Sequence, residues 1–541
     1  MKKKLVILSI GMLPLVATYA QQDTTLVRTV VVENEYNPTV MDASKINVLP
    51  KVEEPTVPKT HIDYASSIRP VSAWNYQAMQ PIVKEWKADA AYRGYLRGGY
   101  GNNGNVDAAL GYLWDISKKD RLNIAASLGG WNGDLAKIYN QKWESRLYDS
   151  KVGLDYRHSF KKVDFLLGAS YRSRVFNYVP NYLNADSTLS SHQNQTMVHA
   201  YMGFASNDKD MPIQFQAEAG VKSFKEKYPV MHSEANKETN LYVVADVWKQ
   251  TMNDNHFGLK VRFDNYAYSS ERSYDKMALE LNPYYSLQND DWKIRLGAHV
   301  DWVDRGMPDD KVYVSPDVNV EYTFSDSYVL FAKAEGGRQT SSLYELAEMT
   351  PYIYTSNLAP TYVTLDAALG LKASPANGWW FLVSGGYQIR EDDVCLKLGQ
   401  GRPFWFASNS FDRKTNVFYG TVELKHDYKD LFDFSLKGTY YNWENKDSWD
   451  MSLKPELELG AEVGAKVMEG LRVHAGYEYV KRCNDNAGDP ISNLYIGADY
   501  ALLKNLSVFV KANNLLNKEY VASYAYPAQK LNFMAGLSLQ F

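Results

Sequence analysis

Between residues 531 and 541 the chain alternates without a break. Leu531, Phe533, Ala535, Leu537, Leu539 and Phe541 hold the odd positions; Asn532, Met534, Gly536, Ser538 and Gln540 hold the even ones. A period of two puts the two sets on opposite faces of a strand. The same pattern recurs upstream. Trp292, Ile294, Leu296, Ala298, Val300 and Trp302 share one face, with Lys293, Arg295, Gly297, His299 and Asp301 on the other. Leu457, Leu459, Ala461, Val463, Ala465 and Val467 oppose Glu456, Glu458, Gly460, Glu462, Gly464 and Lys466. Residues 471–479 make another such strand. Runs of ten or more residues with one apolar and one charged face exceed the five or six residues of an ordinary sandwich strand. They suit a tilted strand that crosses a bilayer and lines a wet lumen.

The connections sharpen that reading. About 22 strands fit between residue 91 and the end. Every second connection is tight and polar: 117–120, 160–163, 206–210, 252–255, 289–291, 325–327, 374–378, 428–430, 469–470 and 504–505. Those between are mostly long, as at 130–143, 178–195, 337–361, 399–413, 443–453 and 513–529. Short turns on one rim and long loops on the other mark an outer-membrane barrel. An even strand count lets the last strand return beside the first and removes the sheet edges. The expected fold is an all-β, antiparallel, up-and-down transmembrane barrel.

The N-terminal part reads differently. Lys2, Lys3 and Lys4 precede a short apolar run, and small residues at Thr18 and Ala20 complete the pattern of a cleaved secretory signal over 1–20. Residues 21–90 carry Pro38, Pro50, Pro55, Pro58, Pro70 and Pro81 and read as a periplasmic, mostly extended segment, with a short helix near 82–88. The barrel then occupies 91–541. No stretch after the signal is long and apolar enough for a membrane helix, and mean hydropathy is -0.41. Barrel strands escape such windows because only every second residue meets lipid. A net charge of -4 gives no case for nucleic acid.

Two segments carry a resemblance. Asn513-Asn514-Leu515-Leu516-Asn517-Lys518-Glu519-Tyr520 is similar to the penultimate-strand motif of TonB-dependent outer-membrane receptors. Tyr526-Pro527-Ala528 and the closing strand follow it. Ser342-Leu343-Tyr344-Glu345-Leu346 and Asn357-Leu358-Ala359-Pro360 resemble the same family's mid-barrel segment. The resemblance implies a 22-stranded barrel in the outer membrane of a Gram-negative bacterium and a part in nutrient uptake. It also implies a plug domain inside the barrel, for which 21–90 is too short and lacks the Gly-rich pattern. Arg28-Thr29-Val30-Val31-Val32 has a faint likeness to the box that pairs with TonB by strand addition, but plain extended chain is the favoured reading.

Sites for chemistry are few. There is no nucleophile elbow, no H-E-x-x-H and no C-x-x-C, so no enzyme, cofactor or metal site is expected. His299 and His474 are expected as hydrogen-bonded lumen residues, and residues 484–489 as a polar loop tip rather than a calcium loop. Cys395 and Cys483 fall on the long-loop side, where a disulfide is conceivable but not fixed by sequence. Candidate ligand or partner contacts are the loop aromatics Trp131, Tyr139, Trp143, Tyr344, Tyr352, Tyr354, Phe404, Trp405 and Phe406. Mixed lumen charges, among them Arg262, Lys333, Glu335, Arg472 and Asp499, suggest a solvated lining and no ion filter. Three functions stay open: an uptake receptor working with TonB or a surface lipoprotein, a docking platform for an outer-membrane complex, and a passive pore.

Overall fold

The computed structural model describes residues 92–541 apart from 139–140, 179–191, 229–234, 252–254, 270–274, 305–309, 326, 340–341, 350, 352–359, 399–404, 410–413, 430, 445, 447–450, 452–453, 484–488 and 524–525. The expected signal, the segment 21–90 and its helix at 82–88 lie outside the described residues.

The first strands are β1 Gly94–Gly101, β2 Val106–Asp115, β3 Asp120–Ile138, β4 Gln141–Ser159, β5 Val163–Asn177, β6 His192–Ser206 and β7 Gln214–Glu226. Next come β8 Lys237–Gln250, β9 His256–Tyr268, β10 Lys276–Gln288, β11 Trp292–Val303, β12 Lys311–Ser325 and β13 Tyr328–Arg338. A helix, α1 Leu343–Met349, precedes β14 Tyr362–Ala373, β15 Trp379–Glu391, β16 Val394–Leu398, β17 Trp405–Asn409 and β18 Lys414–Tyr428. The last are β19 Phe432–Trp443, β20 Pro455–Met468, β21 Leu471–Arg482, β22 Ile491–Leu503, β23 Leu506–Asn513, β24 Val521–Ser523, β25 Tyr526–Pro527 and β26 Asn532–Gln540.

Twenty-two of these form one antiparallel sheet in which each strand pairs with its neighbours in the chain. The pairs β16–β17 and β24–β25 are separate hairpins set into two long connections. The sheet closes where β1 meets β26, with Leu96 opposite Leu539 and Gly98 opposite Leu537. Gly94 N–H donates to Phe541 O at 2.8 Å, and Phe541 N–H returns a bond to Gly94 O at 2.9 Å. Closure leaves no edge in the barrel wall, which a bilayer requires because it cannot hydrogen-bond an open one.

The ten short connections fall on one rim near where the sequence placed them, the one expected at 206–210 running on to 213. The faces agree as well. Leu459 is 43% exposed and Leu537 53%, both on the outside, as are Leu241, Val314, Leu369 and Val422. At the turn rim the outer face carries rings in contact: Trp292 on Tyr322 at 4.4 Å, Trp379 on His426 at 4.2 Å, and Phe324 on Tyr328 at 5.5 Å. Such rings suit the boundary between acyl chains and headgroups.

The long connections depart from expectation. Residues 130–143 were expected to form a loop, but β3 and β4 run on as a paired ribbon to Ile138 and Gln141. Above the level of lipid no strict alternation is needed, so the period-two signal lapses while pairing continues.

A clamped segment at the loop end of the lumen

The resemblance motif at 342–346 builds the most distinctive element of the interior. Ser342 is the N-cap: its Oγ accepts the Glu345 N–H at 3.0 Å, and its carbonyl accepts that of Leu346 at 3.0 Å. Leu343, Leu346 and Ala347 are buried in α1 and pack on Met197 of β6 and Phe224 of β7. Both wall residues share the lumen face of their strands with charged or polar partners such as Lys222 and Gln195. The described residues 342–349 and 351 thus lie against the inner wall at β5 to β9, as far as eight strands from β13.

Wall side chains hold both ends. Glu238 of β8 accepts the Leu343 and Tyr344 N–H groups at 2.6 and 3.1 Å. Arg174 of β5 donates to Ala347 O, and Gln195 Nε2 donates to Pro351 O at 2.9 Å. A carboxylate at the start and a guanidinium at the end match the dipole of the turn between them. Glu345 lies 3.8 Å from Lys222 and 4.0 Å from Arg262, and Glu348 lies 3.6 Å from Arg172.

Other connections lock together nearby. Lys454 and Asp393, both almost fully buried, pair at 2.6 Å and tie the 444–454 connection to the one after β15. Arg390 reaches Asp393 at 3.1 Å and Gln339 Oε1 at 2.9 Å. Thr361 Oγ1 donates to Asp392 O at 3.0 Å. Beneath them Val417, Tyr419, Tyr441, Trp443, Met451 and Cys483 form a second buried cluster.

Toward the turn rim the lumen changes character. Asn123, Ala125 and Ser127 of β3 and Lys151 and Asp155 of β4 face inward and are exposed. A motif repeats around the wall, from this level up to the second buried cluster. Tyr201 lies over Gly168 on the next strand, and its hydroxyl donates to Asp155 one strand further at 2.8 Å. Tyr284 with Gly258 and Asp246, Tyr419 with Gly386 and Asp366, and Tyr495 with Gly476 and Glu462 repeat it at 2.9, 2.6 and 2.6 Å. Each tyrosine spans three strands. A Cβ at Gly258 would sit 2.2 Å from Tyr284 Cζ, so the missing side chain is what admits the ring. This device escaped sequence reading because the glycine and tyrosine meet only once the register is known.

The candidate residues divide. Trp131 lies in β3, not in a loop, and its Nε1 donates to Ser145 Oγ at 3.2 Å. Tyr344 is buried in the clamped segment, with Lys222 over its ring. Trp143, Trp405 and Phe406 lie on strands, Trp143 opposite Ala136 and the other two in β17 opposite Leu398 and Lys397. Tyr139, Tyr352, Tyr354 and Phe404 lie outside the described residues, as does most of 484–489. Cys483 is a free, buried thiol, so the pairing with Cys395 is not formed. Its Sγ lies 3.8 Å from Pro455 O, and burial pushes the thiol up to about 12. His299 contacts Glu280 at 3.0 Å and His474 lies 3.7 Å from Asp499, both on the lumen side as expected. Among the described residues no cluster of His, Cys, Asp or Glu is arranged to hold a metal ion.

The second resemblance motif is structural. Asn514 and Asn517 take left-handed conformations, with φ of 49° and 51°, which asparagine tolerates. Asn514 Nδ2 donates to Lys518 O at 2.8 Å and to Gln529 O at 3.0 Å, folding the connection before β26.

Comparison with solved structures decides the architecture. The ferric enterobactin receptor PfeA of Pseudomonas aeruginosa matches at a TM-score of 0.64 and 11% identity, over 83% of this chain and 80% of that one. The fold is that of the TonB-dependent receptor barrel. The FrpB iron transporter of Neisseria meningitidis matches at 0.64 and 10% identity, over 84% and 81% of the two chains. The ferric-catecholate import receptor Fiu of Escherichia coli K12 matches at 0.61 and 10%, over 84% and 82%. At such identities the likeness is one of fold. No protein-family model and no curated protein matches the sequence.

Proposed function

We propose that this protein is an outer-membrane barrel of a Gram-negative bacterium that takes part in nutrient uptake. The carrying observation is the closed 22-stranded barrel, apolar outside and polar within, with the fold of PfeA, FrpB and Fiu. The structural neighbours are receptors and a transporter, which supports transport as the role. The clamped segment and the interlocked connections favour a receptor over a passive pore.

The interlocked connections at the loop end support a second reading, a docking platform for a surface lipoprotein or another barrel. Two experiments separate them. A strain lacking the protein should lose growth on at least one limiting carbon, iron or vitamin source and regain it on complementation. Equal growth on every source tested would remove the uptake reading. Capture of the intact protein from detergent-solubilised native membranes should bring down TonB if residues 28–32 serve as its box, and a stoichiometric lipoprotein if the barrel is a platform.

A further inference from the structure

The outer face of β7 and β8 changes sharply toward the loop end. Along β8 the outward positions run from Lys249 through Val247, Ala245, Val243 and Leu241 to Thr239 and Lys237. Along β7 they run from Phe215 through Ala217, Ala219 and Val221 to Ser223 and Lys225. Apolar outward positions meet acyl chains, so the step from Val221 and Leu241 to Ser223 and Thr239 marks the loop-side boundary of the hydrocarbon. Lys225 and Lys237 stand one outward position beyond it, at headgroup depth.

The two lysines are directly opposite each other in the register. Glu226 N–H donates to Asn236 O at 2.9 Å, which makes 226 and 236 a hydrogen-bonded pair and 225 and 237 a non-hydrogen-bonded one. In such a pair the Cα atoms are about 4.5 Å apart and the side chains are closest, so like charges there repel. Both residues are exposed, and among the described residues neither makes an ion pair. The carboxylates next to them in the chain are turned away. Glu226 and Glu238 are buried on the inner face, where Glu226 accepts from Gln195 and Asn236 and Glu238 from Leu343 and Tyr344. Asp275, just before β10, accepts the Tyr268 N–H at 2.9 Å.

We propose that Lys225 and Lys237 form a phosphate site on the outside of the barrel, taken by the phosphorylated headgroup of an outer-leaflet lipid. One phosphate between two ammonium groups replaces their repulsion by two charge-assisted contacts. Hydroxyl donors flank the pair on the same face: Thr196 is opposite Lys225, and Ser223 is opposite Thr239. The site faces away from the lumen, so a lipid reaches it from the leaflet and a solute crossing the barrel does not. The positive charge is local to this wall. On β12 the outward positions nearest the loops are Val312 and Val314, 61% and 63% exposed. The inference rests on the outer-membrane reading and is independent of what the lumen carries.

The test uses the whole protein purified in a neutral detergent. The probes are lipid A with its phosphates, the same lipid after enzymatic dephosphorylation, and inorganic phosphate. Phosphorylated lipid A should bind the parent, and Lys225→Gln with Lys237→Gln should weaken binding by about tenfold or more. Lys225→Arg with Lys237→Arg, which keeps both charges, should retain it. Lys249→Gln, on the same face of β8 at the turn end, should leave the affinity unchanged. Dephosphorylation of the lipid should cost the parent as much as the double glutamine substitution, and that arm needs no variant to fold. Heat-modifiable migration in gels confirms that each variant is a folded barrel. Equal affinity of the parent and the folded glutamine variant would overturn the inference, as would an equal loss from Lys249→Gln or binding that ignores dephosphorylation. Inorganic phosphate that displaces the lipid at low concentration would make this a site for a free anion and would overturn it too. Membrane fractionation reads location separately, so failed binding leaves the outer-membrane reading standing.

Discussion

Met197, Phe224, Leu343, Leu346 and Ala347 are packed dry at the loop end of the lumen, whereas Asn123, Ala125, Ser127, Lys151 and Asp155 stand in open lumen toward the turns. The strands are continuous between the two ends and obey the same alternation, so the wall's periodicity does not make the difference. What differs is what returns to the wall. At the loop end long connections fold inward and supply apolar partners and buried ion pairs. At the turn end connections of a few residues have nothing to contribute. There the wall must satisfy itself, and at Tyr201 and Tyr284 it does so with a ring laid over a glycine and tied to a carboxylate two strands away. One end behaves as a protein core and the other as a lined channel.

The sharpest way to break this contrast is to put one charge in each end. Leu346→Asp places a carboxylate in a fully buried apolar site. Removing a buried leucine side chain alone costs about 2–5 kcal/mol, and an unpaired charge adds to that. Helix α1 should leave the wall and become open to chymotrypsin near Tyr344, with the barrel still heat-modifiable. Ser127→Asp in the open end should change neither readout, since exposed substitutions stay within about 0.5 kcal/mol. Comparable losses from both would mean that the two ends are not different environments.

The next effect in size compares the outer and inner faces of the wall. Leu459→Arg points into lipid and should cost about 2–4 kcal/mol, seen as a lower heat-modifiable folded fraction. Ala125→Arg, inward and exposed, should be tolerated. Glu458 is a poorer control than its position in the sequence suggests, because Tyr441 donates to it at 3.2 Å and its other oxygen is buried.

How far the sequence reached follows the same divide. Alternation fixed the faces of β11, β20 and β26, and the polar turns fixed the short rim, because lipid on one side and water on the other leave a strand no freedom of phase. Above the membrane that constraint ends, and residues 130–143 and Trp405 were read as loop where the chain pairs as ribbon. The family motif at 342–346 was legible as a motif, but where it docks depends on Glu238 and Arg174, more than a hundred residues earlier in the chain. Burial of Tyr344 was hidden for the same reason. The loop aromatics looked like contact residues because aromatic side chains serve equally in cores and on binding surfaces.

A smaller effect tests the tyrosine–glycine device itself. Gly258→Ala should displace the Tyr284 ring and cost about 1–3 kcal/mol. Tyr284→Phe should cost about 1 kcal/mol by releasing Asp246. If the ring is what the methyl group meets, Gly258→Ala made in a Tyr284→Ser background should be nearly neutral. Additive losses across that cycle would show that the glycine is needed for its backbone and not for the ring.

The last prediction leaves stability untouched and reads the two ends with thiols. Cys483 belongs to the dry end, 8% exposed among Tyr441, Trp443 and Met451. Burial raises its pKa to about 12, which favours the neutral thiol. The thiolate is the nucleophile, so at pH 8 this residue presents very little reactive form, and access is poor besides. A cysteine placed at Ser127, in water, should titrate near the ordinary value of about 8.5. With Cys395 replaced by serine, the Ser127→Cys thiol should react with a small maleimide within minutes at pH 8. Its rate should level off once pH passes that value. Cys483 should react orders of magnitude more slowly and keep gaining about tenfold per pH unit across the range in which the barrel stays folded, since its own titration lies higher. A plateau for Cys483 near pH 9 would place it in water and would join the two ends of the lumen into one environment.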